Sequence, residues 1–539
     1  MNKIYKKVWN RLRGCFVAVS EALGSQQARG KAALIITSSL VANTSGAVVI
    51  DGDFEAYSIR WMVTPYEVTE YTGNFNWYGH KGGNGWYLVA GARSTGLPTA
   101  TLIIDGDFNM FPDGNWDLDR GDFLIAMGNR YGNTNGTLHV KGNANIGDGS
   151  IFKASTAVIG YQISTVNSTF IVDGTLTVSD RATVWGGYTS GAGNGRYTST
   201  WTINNLVLEN TGTWDSPGIS DSTNTFAFNA TLNNATIKNG AIFRHRYNFN
   251  NLESTISFNN SLTLEAGSRF ENNGGLIVGA RTTNRVNIGN TLNLNGGTVT
   301  DRSTLTQNLG TINVNGAYDF ANYVKTAGVL NNNSTLTLSS ANISGGTFNN
   351  AGTLNLNGNA SISDTIIGGT VNINAGTLAA AGLSNVALNV RGGNFSYNDL
   401  GSTNSLAVYS GSATLNSLNT AKSVALAGGT LTTGYYQVFT DSSRENVALN
   451  YINLEAQTPQ EIRTSLSEWF QKYVLGEVSD KLSNVTFTGG TLRLTGKDLT
   501  QTECADLAQA FKEKLSLREN QSKTAFLNAA NEAAVRKAA

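Results

Sequence analysis

The chain has 539 residues, 38 basic and 38 acidic side chains, three histidines and two cysteines; charged residues make up only 14% of it, against about 25% in ordinary globular proteins. Residues 1–47 hold seven of the basic and one of the acidic residues, leaving 31 and 37 beyond them, an acidic excess that excludes the basic footprint of a nucleic-acid binder. Sixty glycines against five prolines indicate a turn-rich β protein rather than a disordered chain, and the cysteine count excludes a disulfide scaffold.

In chain order, the first feature is a segment of export character. It opens Met1-Asn2-Lys3-Ile4-Tyr5-Lys6-Lys7-Val8-Trp9-Asn10 and continues through Arg11-Leu12-Arg13 to Phe16-Val17-Ala18-Val19-Ser20-Glu21. A second basic patch, Arg29 and Lys31, precedes an apolar run from Ala32 to Ala42 and the small residues Ser45-Gly46-Ala47. A basic region, an apolar region and a small-residue cut site make a secretory signal, with the mature chain starting at residue 48. The basic region is twice the usual length and carries its own aromatic pattern. Residues 1–10 and 16–21 resemble the extended signal peptide region of type V secreted proteins of Gram-negative bacteria, with Phe16 where Trp is commoner. The resemblance implies an autotransporter passenger, adhesin-like, delivered to the Sec translocon and exported through the periplasm to the cell surface, the outer membrane or the medium. Cys15 leaves with the signal, so Cys504 stays unpaired within the chain.

Residues 48–215 carry a long-period repeat. Val49-Ile50-Asp51-Gly52-Asp53-Phe54 returns as Ile103-Ile104-Asp105-Gly106-Asp107-Phe108, and Leu88-Val89-Ala90-Gly91 as Leu124-Ile125-Ala126-Met127. Seven tryptophans fall between Trp61 and Trp214, and none between 215 and 468. These features predict wide coils with long loops, and an end suited to protrusions or a cap.

Residues 216–457 predict regular coils. Gly-Gly pairs stand at Gly274, Gly296, Gly345, Gly368 and Gly392, each before a short strand. Strands such as Thr353-Leu354-Asn355-Leu356-Asn357 alternate apolar with Asn or Thr, so one side is buried and the other wet. The intervals predict coils of 22–24 residues and, over residues 50–450, a rod. The fold expected is all-β: a right-handed parallel β-solenoid, a pectin-lyase-like β-helix, whose coils bury their apolar rows only by stacking. A β-sandwich array is the alternative.

Residues 458–539 predict a small mixed α/β segment. Thr458-Pro459-Gln460-Glu461 is a helix-capping pattern, Gly489-Gly490 opens a strand, and Thr500 to Leu515 reads as a second helix. The resemblance implies a translocator barrel, which needs many alternating strands of about 10 residues; no such pattern follows, so a truncated gene, a contig-edge fragment or a passenger-only product is expected.

Candidate sites are few. His80, His139 and His245 stand apart, without metal-ligand spacing. Gly147-Asp148-Gly149-Ser150 has the wrong order for a serine-protease motif and reads as a turn. Arg120-Gly121-Asp122 is an integrin-type tripeptide in an acidic turn. Asp51/Asp53 and Asp105/Asp107 are the sharpest pairs: on a strand they would share a face about 6.6 Å apart, within the range of glycosidase carboxylates. Asp-Gly-Asp is also a turn signal, and supplies too few oxygens for Ca²⁺. The expectation is a non-catalytic surface shaft, with no catalytic, cofactor or metal residues, binding host or neighbouring-cell ligands. The alternatives are a β-helix polysaccharide lyase or hydrolase, and a remnant without function of its own.

Overall fold

The computed structural model describes residues 5–10, 15–20, 44–56, 61–78, 85–91, 97–110, 121–127, 133–147, 149–156, 165–186, 188–189, 196–216, 218–219, 225–245, 252–272, 276–278, 286–300, 304–417, 421–434, 449–453 and 485–495. All regular structure among them is strand. The chain divides into two compact units, Met1–Ser303 and Thr304–Ala539. Each is a parallel β-solenoid, the fold expected, rather than a β-sandwich array. The helices expected after 458 lie outside the described residues, while the strand expected there is present as Thr491–Thr495. Near the start, Tyr5–Asn10 and Cys15–Ser20 pair antiparallel, with Tyr5 opposite Ser20.

In the first unit each coil has three sides, and like sides stack into three faces. The first face runs from Thr44–Ile50 through Tyr66–Tyr71, Thr99–Ile104 and Thr134–Val140 into Thr165–Val178. The second stacks Phe54–Ala56, Phe75–Trp77, Phe108–Met110 and Ala144–Ile146. The third stacks Gly85–Gly91, Gly121–Met127, Ile151–Thr156, Thr183–Trp185, Thr213–Ser216, Ile242–His245 and Arg269–Asn272. Thr101 faces Thr137, then Thr169, Thr200, Asn229 and Thr255 in turn. Successive coils therefore advance the numbering by 36, 32, 31, 29 and 26, the separations of the side chains that bond from one coil to the next.

Rings fill this interior. Tyr87 stacks on Phe123 at 4.8 Å and Phe123 on Phe152 at 5.7 Å; further along the same face Trp214 stacks on Phe243 at 5.3 Å and Phe243 on Phe270 at 5.0 Å. Trp77, Trp201 and Trp214 are fully buried. These tryptophans are therefore core, not marks of a protrusion.

The second unit is also three-sided, but its coils are shorter. Thr353 faces Thr370, then Ala387, Ser405 and Ser423, so each coil advances the numbering by only 17 or 18. This corrects the 22–24 expected from the Gly-Gly intervals. Gly345-Gly346 turns the corner between the strands at 341–343 and 347–350, Gly368-Gly369 the next corner and Gly392-Gly393 the one after, so each interval is one coil plus one further side. The doublet advances around the triangle as the chain climbs. At the corner of Gly376, Gly411 and Gly429 the backbone has φ near +70° and stacks closely: a Cβ on Gly411 would lie 2.2 Å from the Gly393 carbonyl oxygen. Only glycine combines this conformation with this approach.

Leu354 and Leu356 point inward, while Asn355 is half-buried and Asn357 exposed, as the alternation requires. The outward amides form ladders: Asn372 Nδ2 donates to Asn355 Oδ1 at 2.7 Å, and Asn389 Nδ2 to Asn372 Oδ1 at 2.9 Å. Val424 stacks on Val485, so here the numbering advances by 61 rather than 17 or 18. Leu449–Asn453 pairs antiparallel with Thr491–Thr495.

Candidate functional site

Among the described residues of the first unit, chemistry-bearing side chains gather in three places. One is the corner between the first and second faces, where the Asp-Gly-Asp triplets lie. Gly52, Gly73, Gly106, Gly142 and Gly174 stack there; a Cβ on Gly142 would lie 2.5 Å from the Gly106 carbonyl oxygen. The inner acidic position forms a ladder across coils. The Asn74 N–H donates to Asp53 Oδ1 at 2.8 Å, the Asp107 N–H to Asn74 Oδ1 at 2.8 Å, the Asn143 N–H to Asp107 Oδ1 at 2.7 Å and the Thr175 N–H to Asn143 Oδ1 at 2.9 Å. On the outer position Thr72 donates to Asp51 at 2.7 Å, and Lys141 reaches Asp105 at 2.5 Å and Glu70 at 3.2 Å. Hydrogen bonds donated to Asp105 and then Glu70 hold the Lys141 ammonium above its ordinary pKa. The two Asp pairs are thus not paired acids on one strand face. They are corner acceptors that tie each coil to the next, and Thr72-Gly73-Asn74 and Lys141-Gly142-Asn143 are further copies that residue identity conceals.

A second cluster lies inside the coils, where the third face turns toward the first. His245 Nδ1 is 3.0 Å from Asn272 Oδ1, and its Nε2 is 2.9 Å from Ser254 Oγ. The order hydroxyl, imidazole, amide is that of a nucleophile, base and orienting group. All three side chains are fully buried. Burial pulls the His245 pKa down to about 4, against the smaller upward pull of its hydrogen bonds to Asn272 and Ser254. The imidazole is therefore neutral above that pH.

The third cluster is outside, on the third face. Lys153, Trp185, Asp215, Arg244 and Glu271 stand in register on five successive coils. Lys153 Nζ lies 5.1 Å from the centre of the Trp185 ring. Arg244 Nη1 meets Asp215 Oδ2 at 2.9 Å and its Nε meets Glu271 Oε2 at 2.5 Å, while Arg269 Nη2 meets Glu271 Oε1 at 2.7 Å. Burial opposes the Arg244 charge, and the hydrogen bonds to Glu271 and Asp215 outweigh it, so its pKa stays raised. Asp215 and Glu271 are two coils apart, about 9.6 Å at the usual strand spacing. That is near the upper separation for carboxylates that activate a water between them, but Arg244 fills the gap.

The remaining sequence candidates fall elsewhere. His139 Nε2 lies 2.9 Å from Asp173 Oδ2. Ser150 is buried in a turn whose N–H donates to the Gly147 carbonyl at 3.0 Å. Asp148, His80 and Arg120 lie outside the described residues, and Gly121-Asp122 opens the strand Gly121–Met127. Among the described residues no group of three or more His, Cys, Asp or Glu is placed to hold a metal ion. The third-face ladder carries no sequence signal because its intervals shrink as the coils shorten, to 29 between Asp215 and Arg244 and 27 between Arg244 and Glu271.

Residues 1–49 match the family model of the extended signal peptide of the type V secretion system. No curated protein and no solved structure matches the chain.

Proposed function

We propose that this type V exported solenoid is an adhesin-like passenger that acts at the cell surface by presenting its faces, without turnover. The extended signal peptide directs the chain across the inner membrane through the Sec translocon. The parallel solenoid behind it is of the kind such passengers form. The observation that carries the non-catalytic reading is the use of polar groups: the sharpest acidic pairs, Asp51/Asp53 and Asp105/Asp107, are engaged in coil-to-coil bonds. A repeat surface of this kind suits extended binding to glycan or protein on another cell.

A second reading, a polysaccharide lyase or hydrolase, is favoured by one feature, the Asp215–Arg244–Glu271 ladder on the outside of the third face. One experiment addresses both. The full chain is expressed with its signal, recovered by fractionation, and assayed for binding to whole cells and for turnover of neutral and acidic polysaccharides. Binding without turnover is expected. Turnover lost in Asp215→Asn with the fold intact would replace the shaft by the enzyme, and retention of uncut chain in the cytoplasm would defeat both readings.

A further inference from the structure

The inward positions of the second unit are mostly apolar, with some amides, and among its described residues Lys325 and Asp364 are the buried charged side chains. Lys325 stands between Gln307 and Ile343 in an inward column and is fully buried. Its ammonium extends along the stack. It donates to the Gly345 carbonyl oxygen at 2.5 Å in the next coil and meets Asp364 Oδ2 at 2.5 Å in the coil beyond. Asp364 points inward from the irregularity between Ile362 and Thr365, and is itself buried. The intervening corner leaves room for the reach: a Cβ on Gly346 would lie 2.6 Å from Lys325 Nζ.

The neighbouring side chains of the same stack are tied by bonds of their own. Tyr323 donates to Gln307 Oε1 at 2.6 Å, and Gln307 Nε2 donates to the carbonyls of Gly310 at 3.0 Å and Val329 at 2.9 Å. Burial, and secondarily Asp364, raise the Tyr323 pKa well above the ordinary value, so the phenol stays neutral and adds no second negative charge beside the ammonium. Taking such a pair out of water carries a desolvation penalty that the mutual contact must offset. For a nitrogen and a carboxyl held in contact, the entropy of encounter is already spent.

We propose that Lys325 and Asp364 condense to an intramolecular amide, a covalent staple across three coils. A proton passes from Nζ to the Asp364 carboxylate, leaving a neutral amine beside a carboxylic acid. The Nζ lone pair forms the N–C bond to Cγ. A second nitrogen proton goes to the departing oxygen, the C–O bond breaks and one water leaves. The ammonium and carboxylate become one neutral amide and one water, with no oxidant, reductant or further reactant. The staple gives the second unit a cross-link that its single cysteine, Cys504, cannot supply.

Trypsin reads this directly, because Arg302, Lys325 and Arg391 are the successive cleavage sites in this stretch. The full exported chain is denatured, digested and analysed by mass spectrometry. A stapled lysine is not cut, so one peptide spanning 303–391 is expected, lighter than its sequence by the mass of one water. Fragmentation should join Lys325 to Asp364. Separate peptides 303–325 and 326–391 at their sequence masses would leave an ion pair only and overturn the proposal. Lys325→Arg keeps a positive charge without an acylable amine, and is cut after denaturation whether or not it folds. It should yield the two peptides; a joined peptide in that variant would place the link elsewhere and equally overturn the assignment.

Discussion

The two units solve one packing problem at two sizes. The long coils of the first unit enclose a wide interior and fill it with stacked and edge-on rings: Trp201 lies 4.8 Å from Trp214 and 5.1 Å from Phe170. The short coils of the second are filled chiefly by aliphatic side chains, among them Leu354, Leu356, Val371, Ile373, Leu388 and Val390, with fewer rings, such as Tyr323 and Phe348, between them. The rise per coil is fixed by strand spacing, so circumference alone sets the volume that must be filled at close packing. The share of rings among the buried side chains therefore follows coil length. The outer faces do not change in kind. Amide ladders run along both units, through Asn76, Asn109 and Asn145 in the first and Asn355, Asn372 and Asn389 in the second.

The largest expected effect breaks the second unit alone. Leu356→Asp places a carboxylate in a dry aliphatic column, at a cost on the order of 5 kcal/mol. Circular dichroism should show loss of strand, and limited proteolysis should open the second unit while the first stays resistant. A variant as stable as the native chain would mean that Leu356 faces solvent and that the register is wrong.

Truncating a ring in the first unit comes next. Trp201→Ala removes four ring contacts and the Nε1 bond to Ser199 at 2.9 Å. It should cost about 4 kcal/mol, whereas Leu354→Ala in the second unit should cost about 3 kcal/mol. Denaturant melts of each variant check the order. The reverse order would show that coil width does not set the value of a core side chain.

How much of this was legible before the structure depended on period. Alternation in Thr353-Leu354-Asn355-Leu356 fixed strand and facing, because a strand repeats every two residues whatever the coil does. Coil length was misread because the Gly-Gly doublet marks three different corners in turn. The Asp53 corner was legible only as a turn: its ladder runs through Asn74, Asp107 and Asn143, and the local sequence changes while the backbone position does not. Neither Ser254–His245–Asn272 nor Asp215–Arg244–Glu271 was legible, since each is assembled by stacking residues from different coils at no fixed interval.

Acid should also separate the units. The three histidines, His80, His139 and His245, all belong to the first. The His245 pKa is lowered from 6.5 to about 4 in the fold, so between those values the unfolded chain binds the extra proton and stability falls as pH falls. Above about 6.5 both states are neutral and the contribution is full; below about 4 the loss is complete, at about 3 kcal/mol. His245→Gln should flatten the first unit's stability across that window and leave the second unit's profile unchanged. An unchanged slope in the variant would assign the acid sensitivity to carboxylates instead.

The smallest effect tests whether the outside is indifferent to coil length. Asn372→Ala removes one bond donated to Asn355 and one accepted from Asn389, at 2.7 and 2.9 Å. Asn109→Ala in the first unit removes one bond donated to Asn76 and one accepted from Asn145, both at 2.7 Å. Both side chains are half-buried, so water takes over part of what is lost, and each variant should cost about 1 kcal/mol. The two should agree within about 0.5 kcal/mol, because a ladder is built from neighbours one strand spacing apart and that spacing is common to both units. A difference beyond about 1 kcal/mol by denaturant melts would mean that the wider aromatic coils and the narrow aliphatic ones hold their strands at different pitch. The contrast between the units would then extend from their interiors to the surfaces they present.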